Sequence, residues 1–176
     1  MSFPRTRYLL DANIFIQAKH LHYRFEFCEA FWNWISQAHQ ANIVFSSEKV
    51  KTELKNGHAD DPICLWMDSL PPNFFLPDMT DPAVIRSYRD IMIWITSNNH
   101  YTQQAKDEFA RPNVADAFLI AVAKTHGYTI VTHEKSQPTA KKRVLIPDAA
   151  REFGIETVMI YDLLSLHAEG NFSLKI

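Results

Sequence analysis

The chain has 176 residues, 47% apolar and 22% charged, which suits one soluble α/β-sized domain with a substantial core. Its formal net charge of −2 excludes capture of a polyanion by bulk attraction, so any grip on nucleic acid has to come from local clusters. Only four glycines are present, and neither a P-loop nor a GxGxxG run occurs, which excludes the common Gly-rich phosphate cradles.

The start, MSFPRTRYLLDAN, has basic residues but no long apolar segment or small-residue cleavage site, so it does not read as a secretion leader. No apolar run reaches the roughly 20 residues that span a bilayer, and a cytoplasmic location is expected. Tyr8 to Leu10 forms an apolar, β-rich run that ends in Asp11, with a helix expected directly after it. In parallel α/β sheets ligands bind beyond the carboxyl ends of the strands, where Asp11 falls. Asp is also a favoured helix N-cap, so a ligand-binding role and a capping role stand side by side at this residue.

From Arg24 to Gln40 a helix is expected, with Phe27, Phe31, Trp34 and Ile35 on one core-facing stripe. The run Ile43 to Phe45 predicts a second strand, followed by Ser46, Ser47 and a short helix with Gly57 as its C-terminal stop. In that helix Val50 and Leu54 take the buried side. Glu53 lies about 60° around from Val50, at about 100° per residue, whereas Glu48 falls roughly opposite, towards solvent. The surface alternative for Glu53 is an ion pair with Lys49.

The middle third, about 60–110, is expected to be a helical insertion or arm, punctuated by Pro62, Pro71, Pro72, Pro77 and Pro82, and not a second domain. Next comes NVADAFLIAVAKTHG, whose apolar run AFLIAVA predicts a deeply buried helix. Asp116 stands in its first turn, and an N-cap at Asn113 would give Asp116 the capping-box position. A third strand is expected at Thr129 to Val131, with Thr132, His133 and Glu134 immediately beyond it. Val144 to Ile146 is a weaker strand candidate, and Thr157 to Ile160 a fourth clear one. Strands alternating with helices, each strand apolar without alternation, imply a mostly parallel sheet covered on both faces.

Asp11, Glu53 and Asp116, with Glu134 as a further acid, therefore gather at one sheet edge. Crowding carboxylates in water-poor space raises their pKa values, and a bound divalent cation reverses that penalty. An all-oxygen ligand set suits Mg²⁺ or Mn²⁺ over zinc, and such an ion can activate water for phosphodiester hydrolysis. Cys28 and Cys64 form no CxxC pair and read as free thiols. His20 and His22 belong to no HExxH motif and read as surface or core residues.

The order LLDANIFI, SSEKVKTELKNG, ADAFLIAVAKTHGYTIVTHE resembles the acidic signature of PIN-domain nucleases, and among them the VapC-like bacterial toxins. The resemblance extends to the closing VLIPDAAREFGIETVMIYDLL, which is similar to the last strand–helix–strand region of that fold. It implies a single PIN-like domain over residues 1–176. By motif, Asp11, Glu53, Asp116 and Glu134 are the implied metal-binding and catalytic acids. Relatives commonly carry Asp or Asn at the fourth position, so Glu134 departs from the pattern. Thr132 matches a hydroxyl position that orients the site, and Asn13 is an implied neighbour of Asp11.

The implied activity is Mg²⁺- or Mn²⁺-dependent endoribonuclease action by the toxin of a toxin–antitoxin pair. The implied partners are an RNA substrate, a cognate antitoxin and a second copy in a homodimer. Lys49, Lys55, Lys141, Lys142 and Arg143 are candidate RNA contacts. Lys51, Arg86 and Arg89 are basic as well, although each cluster taken singly reads more readily as a solvated face.

The alternatives are an inactive PIN-like binding module and a nuclease acting on DNA. A haloacid-dehalogenase-type phosphotransferase needs a second Asp two positions after Asp11, where Asn13 stands. A response-regulator receiver needs an Asp ending a middle strand, where Ser46 follows Phe45.

Overall fold

The computed structural model describes residues 6–56 and 60–175. The residues that bear on a leader (1–5) and the expected helix stop at Gly57 lie outside this range. Each central strand is short and wholly buried, which is why its sequence carries no polar alternation. β1 is Tyr8–Leu10, β2 Val44–Ser47 and β4 Thr129–Val131. With the edge strands β3 (Phe75–Leu76) and β5 (Thr157–Val158) they make a parallel five-stranded sheet in the order β3-β2-β1-β4-β5. Helices cover it, so the protein is an α/β fold with a parallel central sheet, consistent with a PIN-like fold.

The chain reverses its direction of winding between β1 and β4. That is the switch point at which the loops leaving two neighbouring strands diverge and open a crevice at their carboxyl ends. Asp11 follows β1 and Thr132 follows β4, so both stand on the rim of this crevice.

α1 (Ala12–Gln17) starts directly after Asp11 and runs into a π-helical turn, Ala18–His22. α2 (Glu29–Gln40) buries Phe31, Trp34 and Ile35, but it begins later than the expected Arg24. Phe27 precedes it in a turn and is exposed, so it does not join the core stripe. α3 (Glu48–Leu54) is capped by Ser47 and buries Val50 and Leu54, with Glu48 exposed.

The segment expected as a helical insertion is woven into the sheet layers. α4 (Pro62–Ser69) leads into β3, which pairs with the outer edge of β2. α5 (Pro82–Ser97) packs along α7 (Asp116–His126), and α6 (Gln103–Phe109) lies between them in sequence. β3 was not expected, because the two-residue strand between Pro72 and Pro77 is too short to show a pattern.

Val144 to Ile146 is not a strand. Val144 and Leu145 are buried and lead the chain into α8 (Ile146–Glu152), with Pro147 at a position where a helix tolerates it. β5 is likewise shorter than expected, because Ile160 opens α9 (Ile160–His167). A small antiparallel ribbon, β6 (Ala168–Glu169) with β7 (Ser173–Leu174), closes the chain. Among the described residues no helix is long and apolar enough to cross a membrane.

α7 is the pillar of the core. Ala117 through Ala123 are all buried, and Gly127 ends the helix at φ 71°, a left-handed position that favours glycine. Ile120 is fully buried there. Ile120→Ala is expected to lower unfolding free energy by about 2–5 kcal/mol, measured by urea denaturation monitored through tryptophan fluorescence.

Candidate metal centre

Asp11 occupies the N-cap position of α1 in extended backbone, yet its side chain makes no capping hydrogen bond. It is instead buried at 4% exposure and accepts a 2.8 Å bond from Thr132 Oγ1 across the β1–β4 junction. Two donors point into the same hydroxyl oxygen, Asn13 Nδ2 at 2.9 Å and the Glu134 amide at 3.1 Å. A hydroxyl has one proton to give, so with both acceptor sites filled that proton is committed to Asp11 Oδ2. Asn13 Oδ1 accepts from the His133 amide at 3.0 Å and thereby ties the post-β4 loop to α1. Thr132 and Asn13, both singled out from the sequence, thus join Asp11 in one network. Ser46, which the sequence reading passed over, donates to the Leu10 carbonyl at 2.8 Å and braces the strand end from the β2 side.

Asp116 is the first residue of α7, and Ala115 is its N-cap, so the expected capping box from Asn113 does not form. Among the described residues no side-chain donor bonds the Asp116 carboxylate. Asp116 lines a cleft of about 490 Å³ together with Glu53, Asn56, Glu108, Asn113 and Arg143. Glu53 is half-buried on α3 and faces this cleft, and burial raises its pKa.

Glu134 is held differently from the other three acids. One oxygen pairs with Arg143 at 2.5 Å and the other accepts the Ile146 amide at 2.7 Å, at the start of α8. It borders a separate, smaller cavity of about 290 Å³ beside Thr132 and Asp162.

The acids nevertheless feel one another. Burial first, then repulsion from Asp116, pushes the Asp11 carboxyl well above the usual carboxylate range, with Glu134 adding and the Thr132 bond opposing. Asp116 is raised to about 7 by burial, then by Glu134 and Glu53, with Arg143 working against the rise. The four residues are therefore neighbours in one field of negative charge. They do not close into a ready ligand set: among the described residues no group of three or more His, Cys, Asp or Glu side chains is arranged to hold a metal ion. By donor chemistry, Asp11, Asp116 and Glu53 suit a hard divalent cation, while both Glu134 oxygens are already engaged.

The expected cationic contacts are mostly occupied within the chain. Lys49 Nζ donates to the Pro112 carbonyl at 2.8 Å and sits over the Phe118 ring. Lys55 pairs with Asp68, Lys51 lies over Phe75, and Arg143 holds Glu134. Lys141 and Lys142 are exposed, as are Arg86 and Arg89 on α5. Sequence reasoning also missed Asp148, whose carboxylate accepts Ser136 Oγ at 2.5 Å and the Gln137 amide at 2.9 Å and fixes the loop after Glu134. The signal for it was an Asp directly after Pro147, in the first turn of α8.

The chain belongs to the family described as a domain of unknown function (DUF4411), whose model matches residues 8–170. No curated protein matches it.

Because the folded-state pKa of Asp116 lies above its ordinary value, its neutral form is favoured by folding. The stability it confers is complete below about pH 4 and is lost as pH rises through about 7. In chelator, Asp116→Asn is therefore expected to stabilise the protein at pH 8, on the order of 1–3 kcal/mol, with little gain at pH 4. Thermal melts of both proteins across that range check the sign.

Proposed function

We propose that this protein is a divalent-metal-dependent endoribonuclease of PIN-like type, with Asp11, Asp116 and Glu53 as the acids that hold the ion. The observation that carries the reading is the pairing of Asp11 and Asp116. Asp11 is raised by burial and by Asp116, and Asp116 by burial, Glu134 and Glu53; acids crowded in this way at the switch point of a parallel sheet are costly unless a cation compensates them. The likeness of LLDANIFI and ADAFLIAVAKTHGYTIVTHE to PIN-domain nucleases supports the same assignment. It also supports the finer reading of a toxin, with RNA as substrate and a cognate antitoxin as partner.

When bound, Mg²⁺ or Mn²⁺ would supply Lewis-acid stabilisation of phosphodiester charge and an activated water. The chain's own residues prepare for this. Thr132 fixes the Asp11 carboxylate, and Asn13 directs the Thr132 proton towards it. Glu53 and Asp116 present carboxylates on the cleft that a strand would enter. Glu134 anchors Arg143 and the start of α8 next to the acids, so its role is to order that wall more than to bind the ion directly.

A second reading, an inactive PIN-like module that only binds, is favoured by one observation: Arg143 pairs with one Glu134 oxygen and the Ile146 amide already occupies the other.

Incubation of purified protein with structured and unstructured RNA in Mg²⁺ or Mn²⁺ separates the two. Cleavage is expected in the wild type, with a loss of at least roughly 100-fold in Asp11→Asn and in Asp116→Asn. Thr132→Val, which removes only the orienting hydroxyl, is expected to lose about 10–100-fold. No cleavage of RNA or DNA by folded wild type would favour the binding module.

A further inference from the structure

Three aromatic rings from three different elements meet beside the acidic crevice. His22 ends the π-helical turn after α1, His133 stands between Thr132 and Glu134, and Tyr161 lies in the first turn of α9. Their ring centroids form a closed triangle: 6.4 Å from His22 to His133, 6.3 Å from His22 to Tyr161 and 5.8 Å from His133 to Tyr161. His22 and Tyr161 are exposed, Tyr161 at 42%. The rings meet tilted or edge-on at 44°, 78° and 59°, so no pair consumes its faces in mutual stacking. The cluster is also fixed to the acids. The His133 amide bonds Asn13, Asn13 bonds Thr132, and Thr132 bonds Asp11.

His22 and Tyr161 are exposed and His133 is half-buried, so these rings at the surface do not fill the core. His133 and Tyr161 follow the carboxyl ends of β4 and β5, where ligands of this architecture bind, and His22 reaches them from the end of the π-helical turn. A π-face beside a phosphodiester site suits an unpaired nucleobase, because every base can stack and a duplex hides its faces. The charge balance points the same way. With a net charge of −2, and with Lys49, Lys55 and Arg143 engaged in internal contacts, Lys141 and Lys142 are the exposed cations left among the candidate RNA contacts, so phosphate neutralisation is a limited source of affinity here.

We propose that His22, His133 and Tyr161 form a stacking platform that receives an unpaired base of single-stranded RNA next to the acidic crevice. The proposal rests on the nuclease reading of that crevice but concerns binding alone.

The test is fluorescence-anisotropy binding of labelled oligouridylate, and of the same strand annealed to oligoadenylate, to the full chain in chelator, where a metal-dependent reaction cannot proceed. Wild type should bind the single strand in preference to the duplex. Tyr161→Ala and His22→Ala should each weaken single-strand binding roughly 5-fold or more, with Tyr161→Phe close to wild type. The dependence on salt should be shallow, equivalent to about two phosphate contacts or fewer. Unchanged melting temperatures of these surface variants show that they fold.

Single-strand affinity unaltered in both alanine variants, a preference for duplex, or no binding by wild type would each overturn the platform. Cleavage in Mg²⁺ is scored separately. Single-strand binding that depends on Tyr161 without any cleavage leaves the platform standing and removes the nuclease reading.

Discussion

Repulsion between Asp11 and Asp116 is the constraint around which the rest of the crevice is built. Burial raises both carboxyls; Asp116 then adds to the rise at Asp11, while Glu134 and Glu53 add to the rise at Asp116. Burial of like charges costs stability unless protons, hydrogen bonds or a cation offset it. The chain offers partial compensation at several points. Thr132 donates to Asp11, Arg143 opposes the rise at Asp116, and the start of α8 gives its Ile146 amide to Glu134. Arg143 and a backbone hydrogen bond do not offset burial and the Glu134 and Glu53 charges at Asp116, whose carboxyl remains raised to about 7.

The sheet order makes this juxtaposition unavoidable. β1 and β4 are neighbours although residues 11–128 separate them in sequence, and the residues leaving their carboxyl ends share a crevice. α7 is then forced inward by its apolar run, and its first residue, Asp116, arrives at the same edge. Core packing and site assembly are thus one event. The helix that fills the interior also delivers the second carboxylate.

Much of this was legible in the sequence. An apolar triplet ending in Asp11, and an almost wholly apolar helix opening with Asp116, announce both element type and placement, because burial on all sides leaves a compositional mark. Thr132 and Asn13 were reachable through motif likeness. What was not legible depends on tertiary geometry. The Asp116 cap assignment failed because the turn at 111–115 places Ala115, not Asn113, at the helix start. β3 was invisible because two residues between prolines carry no period. Val144 to Ile146 has the apolar character of a strand but is buried as a connection, since β5 already occupies the edge of the sheet beside β4. The engagement of Glu134 by Arg143, nine residues on, could not be read from spacing, because a loop sets it.

On the proposed function, Asp11, Asp116 and Glu53 hold a divalent cation. Calorimetric titration of the purified chain with Mn²⁺ at pH 7.5 tests it without reference to any substrate. The account predicts saturable binding in the wild type that is lost or greatly weakened in both Asp11→Asn and Asp116→Asn, each still melting cooperatively. Absence of Mn²⁺ binding, or binding that survives unchanged in both variants, would contradict it.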